Sequence, residues 1–195
     1  MNNKKLLMWA FAVSGMTALI YEIVWARSLE VIFGSTIYAV STIITTFLIG
    51  ASLGSFLFRN LAEKMNPIRL FSSLEMGIGI YGLLSIFLFK VIQEPIASIN
   101  SPILSFVILF LLLIIPTTLF GATWPVIGKA FISKDRIGKD SGVMYGYNSL
   151  GSFIGPILAG FALIPFIGIR GTTIIAAIAN LLIGAILIRG GKNGP

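Results

Sequence analysis

Apolar residues run along this chain in six long stretches, near Leu6–Ala26, Thr36–Phe58, Leu70–Val91, Ile103–Ile127, Val143–Phe166 and Gly171–Ile188. Crossing a bilayer core takes about 20 helical residues, so each stretch predicts a transmembrane helix. The first follows Lys4 and Lys5 in the manner of a signal peptide. It is longer than the apolar core of a signal, about 7–15 residues, and lacks a clear A-x-A exit, so it is read as a retained helix. No gap between stretches exceeds 15 residues, which leaves no room for an extramembrane domain among them.

Composition agrees with the pattern. Of 195 residues, 56% are apolar and 11% charged, against about 45–50% and about 25% in soluble domains. So little polar surface cannot cover a water-facing globule, and an all-α integral membrane protein is expected. There is no Cys and no His, which excludes disulfides, thiolate nucleophiles, His-ligated zinc or haem, and imidazole relays. The 7 carboxylates are scattered along the chain, so neither a carboxylate metal cluster nor a cofactor is expected, and no catalytic constellation is visible.

The net charge of +7 reads as membrane orientation, not nucleic-acid affinity, because the cations lie in the short gaps. One set of gaps holds Lys4, Lys5, Arg59, Lys64, Arg69, Lys129, Lys134, Arg136, Lys139, Arg189 and Lys192, and the other holds Arg27, Lys90 and Arg170. The split of 11 against 3 predicts both termini on the cytoplasmic side of a cytoplasmic (inner) membrane.

Small residues four apart let helices approach closely. Such pairs are Gly50 with Gly54 in the second span, Gly151 with Gly155 in the fifth, and Gly142 with Gly146 just before it. Spans two and five are equivalent positions if the helices form two three-helix repeats, the nested arrangement of a transporter half. Pro156 in the fifth span, and Pro116 and Pro125 in the fourth, each delete a backbone donor and predict bent helices. Thr117, Thr118 and Thr123 are the nearest candidates to satisfy the freed carbonyls.

Ionisable groups inside apolar runs are costly, roughly 2.5–3.5 kcal/mol on insertion scales, and so are the leading functional candidates. Glu22 lies near the outer end of span one and Glu75 near the inner end of span three. Either could bind a cationic substrate or a coupling proton, or simply fix helix packing through hydrogen bonds. Arg27 is expected to pair with Glu30 at the outer surface. Asn148 and Asn180 are intramembrane amides able to bridge helices, and Tyr21, Trp25 and Tyr38 suit an aromatic belt.

The segments Ile20-Tyr-Glu-Ile-Val-Trp-Ala-Arg27 and Phe33-Gly-Ser-Thr-Ile-Tyr-Ala-Val-Ser41 resemble the start of membrane-bound fused major-facilitator/spermidine synthase proteins. The likeness continues through Gly50-Ala-Ser-Leu-Gly-Ser55, Leu74-Glu-Met-Gly-Ile-Gly79, Gly121-Ala-Thr-Trp-Pro125 and Tyr145-Gly-Tyr-Asn-Ser-Leu-Gly151. It ends in Ala159-Gly-Phe-Ala-Leu-Ile-Pro165 and Gly168-Ile-Arg-Gly-Thr172. Gly151 to Gly160 is also similar to the G-x-x-x-G-P-x-x-G-G motif of major-facilitator antiporters, with Ala159 in place of one Gly. Leu61-Ala-Glu-Lys64 is similar to the superfamily's Leu-Ala-Asp-Arg loop element but lacks the preceding Gly and the later Gly-Arg pair.

The resemblance implies six helices forming one 3+3 half of a major facilitator carrier, with Glu22, Arg27, Glu75 and Asn148 as positions carried over. It also implies a cytoplasmic aminopropyltransferase domain; this chain is expected to lack it and to end, at Gly-Gly-Lys-Asn-Gly-Pro195, in a flexible cytoplasmic tail. The expectation is therefore a half-size transporter, not an enzyme. It would act as a homodimer or with a second membrane subunit and move a small, polyamine-like organic cation. The rival expectation is a non-transporting membrane anchor or assembly module for a separately encoded spermidine-synthase-like enzyme or a larger membrane complex.

Overall fold

The computed structural model describes residues 3–99 and 101–190, and these are helical almost throughout, with no strand among them. Helices α1 (Asn3–Phe33), α2 (Thr36–Lys64), α3 (Pro67–Ala97) and α4 (Pro102–Phe131) come first. After the 3₁₀ turn Lys134–Arg136 come α5 (Ile137–Ile157), a π-helical turn Leu158–Leu163 and α6 (Ile164–Gly190). Five helical stretches are long and apolar enough to cross a membrane, the last being the 56-residue run Lys134–Arg189. The chain is an all-α protein of membrane character. The expected tail after Gly190, with Lys192 and Pro195, lies outside the described residues.

Each of the first four apolar runs sits inside a longer helix. Helices of 29 to 31 residues are roughly 45 Å long at about 1.5 Å per residue, enough for the hydrocarbon core and both interfaces. Their starts follow from local chemistry. The Asn66 side chain accepts from the amides of Ile68 and Arg69 ahead of Pro67, and Ser101 does the same for Leu104 ahead of Pro102. Proline at the first helical position loses no hydrogen bond and has its φ already set. Leu61–Lys64, expected in a loop, is instead the last turn of α2, because the helix stop comes only at Asn66-Pro67.

The fifth and sixth runs form one helical stretch interrupted by geometry. Pro156 removes a rung of the ladder, and the π-helical turn follows at once. Gly168 then adopts φ 71° and ψ 175°, a conformation that L side chains rarely take. Packing partners reverse across it. Before the break, Asn148 reaches Phe11 and Gly155 abuts Met16, so the chain runs parallel to α1. After the break, Asn180 reaches Thr17 on α1, while Gly184 meets Ser72 and Met76, and Gly79 meets Ala177 and Leu181, so the chain runs antiparallel to α3.

The remaining directions follow the same way. Ser14–Glu75, Tyr21–Gly82 and Trp25–Ser85 make α1 and α3 parallel. Tyr81–Leu112 and Gly77–Leu119 make α4 antiparallel to α3, and Gly50–Thr117 with Gly54–Ala122 makes α2 parallel to α4. Lys4, Lys5, Arg59, Lys64, Arg69, Lys129, Lys134, Arg136, Lys139 and Arg189 therefore gather at one end of the bundle. Arg27, Lys90 and Arg170 lie at the other.

Two of the three glycine pairs are closest-approach points. A Cβ on Gly54 would lie 2.0 Å from the Thr118 carbonyl oxygen, and one on Gly151 would lie 1.7 Å from that of Ala12. Gly50 and Gly155 meet Thr117 and Met16 as closely. Gly142 and Gly146, by contrast, have nothing within 4 Å among the described residues. That pair faces outward, so its spacing reflects no helix contact here.

Gly54→Leu and Gly151→Leu are expected to destabilise the detergent-solubilised protein by more than the roughly 1–3 kcal/mol of ordinary overpacking, because backbone blocks the added side chain. Gly146→Ala should leave stability within about 0.5 kcal/mol. Thermal unfolding followed by fluorescence size-exclusion checks both, and equal tolerance at all three positions would contradict the packing.

Candidate functional site

Three helices meet at a buried polar joint. Along α1, Ser14, Thr17 and Tyr21 recur at helical spacing, so they share a face. That face packs on α3 and α6. Glu75 on α3 is 0% exposed. Ser14 Oγ donates to its Oε1 at 2.5 Å, and Asn180 Nδ2 on α6 donates to its Oε2 at 2.6 Å. Asn180 Nδ2 also lies 3.0 Å from Thr17 Oγ1, whose hydroxyl donates to the Ser14 carbonyl. The carboxylate thus has a donor on each oxygen and no cation beside it among the described residues.

An aromatic platform extends the joint. Tyr21 stacks on Trp25 with ring centroids 5.0 Å apart, and its hydroxyl occupies space that only glycine leaves at position 82. Trp25 Nε1 donates to Ser85 Oγ at 3.1 Å. Tyr21 Oη and Asn180 Oδ1 are buried without a hydrogen-bond partner among the described residues. Buried polar atoms are nearly always paired, so Asn180 Oδ1, on the amide that binds Glu75, and Tyr21 Oη, against Gly82, are polar capacity beyond what packing uses. Glu75, Asn180, Thr17 and Ser14 are oxygen-bearing groups in mutual contact, able to hold a proton or a small monovalent cation. No group of three or more Asp, Glu, His or Cys able to hold a metal is present among the described residues.

On the other side of α1 lies a partly open cleft of about 150 Å³ between α1, α2, α4 and α5. Ser14, Thr117, Thr123, Asn148 and Ser152 give it polar walls, and Phe47, Phe120 and Trp124 give it aromatic ones. Asn148 Nδ2 is tied to the Phe11 carbonyl at 3.2 Å, which holds its amide oxygen free for the cleft. Ser14 belongs to both features. It lines the cleft and touches Glu75.

The prolines of α4 find partners that sequence reasoning missed. Pro116 has no N–H for the Leu112 carbonyl, and that oxygen accepts from Tyr81 Oη on α3 at 2.5 Å. Pro125 has none for Gly121, whose oxygen accepts from Ser55 Oγ on α2 at 3.0 Å. The threonines serve other carbonyls. Thr117 Oγ1 donates to Leu113 and Ile114, and Thr123 Oγ1 to Phe120.

The sequence candidates are dispersed. Arg27 is exposed and ion-paired with Glu30, which also accepts from Thr36. Glu22 is half-buried, makes no hydrogen bond or ion pair among the described residues, and is not in the cleft wall. Glu75 and Asn148 stand on opposite sides of α1. Ser14, Thr17, Tyr81 and Ser55 were not singled out, although the Ser14–Thr17–Tyr21 spacing was there to be read.

Tyr81→Phe is expected to cost roughly 1 kcal/mol of stability. In a Pro116→Ala background, which returns an N–H to Leu112, the same change should cost less than half as much. A double-mutant cycle on thermal unfolding reads the difference, and identical penalties in both backgrounds would contradict the pairing of Tyr81 with the orphaned carbonyl.

No protein-family model, curated protein or solved structure matches the chain.

Proposed function

We propose that this chain is a half-size transporter of the major-facilitator kind. It makes six crossings of a cytoplasmic membrane, keeps both ends inside, and acts as a homodimer or with a second membrane subunit. It moves a small organic cation and is not an enzyme. The observation carrying this reading is an exchange in packing. The second helix meets the fourth, and the fifth meets the first, each through a glycine pair and each in parallel. Mapping helices 1, 2 and 3 onto 4, 5 and 6 interchanges the two contacts, as expected of nested inverted repeats. The polar cleft lies among these four helices and is open, as half of a two-part substrate path would be.

The cleft chemistry suits a cation. Its aromatic faces attract positive charge, and its hydroxyl and amide oxygens accept hydrogen bonds. Glu75 supplies the negative charge from behind the wall. A cation hydrogen-bonded to Ser14 would stand roughly 5–6 Å from the carboxylate, two hydrogen-bond lengths away. Ser14 thereby links an occupied cleft to the joint of α1, α3 and α6. Glu22 and Arg27 have no part in this reading.

Proteoliposome uptake of labelled spermidine and putrescine tests it. The wild-type chain should accumulate at least one of them, and Glu75→Gln, which keeps the shape of the joint, should lower the initial rate at least tenfold. The chain has no native cysteine, so single-cysteine variants on the α2 face beside the cleft, such as Leu48→Cys, should form cross-linked dimers. Absence of flux, with a soluble aminopropyltransferase co-purifying in fixed ratio, would overturn the transporter and favour the membrane-anchor alternative.

A further inference from the structure

At the sparsely charged end of the bundle, a cleft of about 200 Å³ opens between α1, α3 and α6, on the face of α1 turned away from the polar cleft. Two of the three cations at that end, Lys90 and Arg170, line it. The third, Arg27, is neutralised by Glu30. Lys90, Arg170 and Gln93 make no side-chain hydrogen bond or ion pair among the described residues, and all three are exposed. No carboxylate lines this cleft. Glu94, one turn beyond Lys90, is exposed and forms no ion pair within the described residues.

The rest of the lining includes apolar side chains, among them Val31, Ile86, Phe89 and Ile169. Ile169 and Arg170 also open the helical stretch that restarts after Gly168, so the positive end of its dipole adds to the two cations. The hydroxyls here are already committed. Ser28 donates to Val24, Ser85 to Gly82, and Thr173 to Ile169. What remains is uncompensated positive charge beside apolar walls, at the end of the bundle where helices of this length meet lipid headgroups.

We propose that this cleft binds the phosphate of an anionic phospholipid headgroup. Lys90 and Arg170 hold the phosphate oxygens, Gln93 donates beside them, and an acyl chain lies along Val31, Ile86 and Ile169. Arginine suits this task because its planar fork can grip two phosphate oxygens. The apolar walls select a lipid over a free anion, since a soluble phosphate would leave them wet. The site stands apart from the transport reading and does not require it.

Native mass spectrometry of the full chain, released from micelles titrated with phosphatidylglycerol or phosphatidylcholine, tests the proposal. The wild type should retain phosphatidylglycerol in preference, and Lys90→Gln with Arg170→Gln should reduce that preference roughly tenfold or more. Arg27→Gln, a charge change of equal size outside the cleft, should leave it unaltered. Unchanged thermal unfolding of the double variant guards against misfolding. Equal retention of both lipids, an unaffected double variant, or complete displacement of the lipid by millimolar inorganic phosphate would overturn it.

Discussion

A carbonyl or carboxylate surrounded by hydrocarbon has no water to turn to, and the hydrogen bonds between helices in this bundle answer that constraint. Each proline in the middle of α4 strips a partner from one carbonyl, and each orphan is met by a hydroxyl from a neighbouring helix. Tyr81 serves Leu112 and Ser55 serves Gly121. The prolines therefore fasten α4 to α3 and α2. Glu75 is treated alike, with one donor from α1 and another from α6. Apolar packing brings these helices together, but lipid is as apolar as leucine and cannot set their register. The polar pairs can, since a slip of one residue would leave a bare carbonyl or charge.

The glycine contacts complete the frame. Where α2 meets α4 and α5 meets α1, backbone touches backbone, so the helices cannot slide apart without exposing polar groups to lipid. The α1 helix becomes the common wall of the molecule. One face carries Ser14, Thr17 and Tyr21 toward the buried carboxylate, and another carries Gly15 and Ala18 toward the polar cleft. Ser14 belongs to both. A change in what it bonds on one side must be felt on the other.

Much of this frame was legible in the chain. Long apolar runs located the helices, because hydrocarbon permits little else, and glycines four apart marked the α2–α4 and α1–α5 seams. The pairing of Arg27 with Glu30 follows from their spacing. Helix ends were less legible, since hydropathy fades at the interface while the helix continues to its cap at Asn66 or Ser101. The Gly142–Gly146 pair misled because spacing alone cannot tell an outward face from an inward one. The joint was the hardest part to read. Glu75 stood out as a lone carboxylate, yet its donors lie 61 and 105 positions away in the chain. The caps on Leu112 and Gly121 were hidden for the same reason, as nearby threonines were plausible locally and the true partners are on other helices.

The break at Gly168 bears on how such a chain enters a membrane. An unbroken helix of 56 residues would be a rod of roughly 84 Å, more than twice the thickness of the hydrocarbon core. With one residue at φ 71° the rod becomes a hairpin whose two arms can insert together, so Arg189 ends up at the same end of the bundle as Lys134. A residue with a side chain at that position would favour the straight rod and leave Arg189 at the opposite end of the bundle from Lys134. The reversal of the last helix thus hangs on the absence of one Cβ atom, at a residue whose carbonyl accepts a hydrogen bond from Thr172 Oγ1.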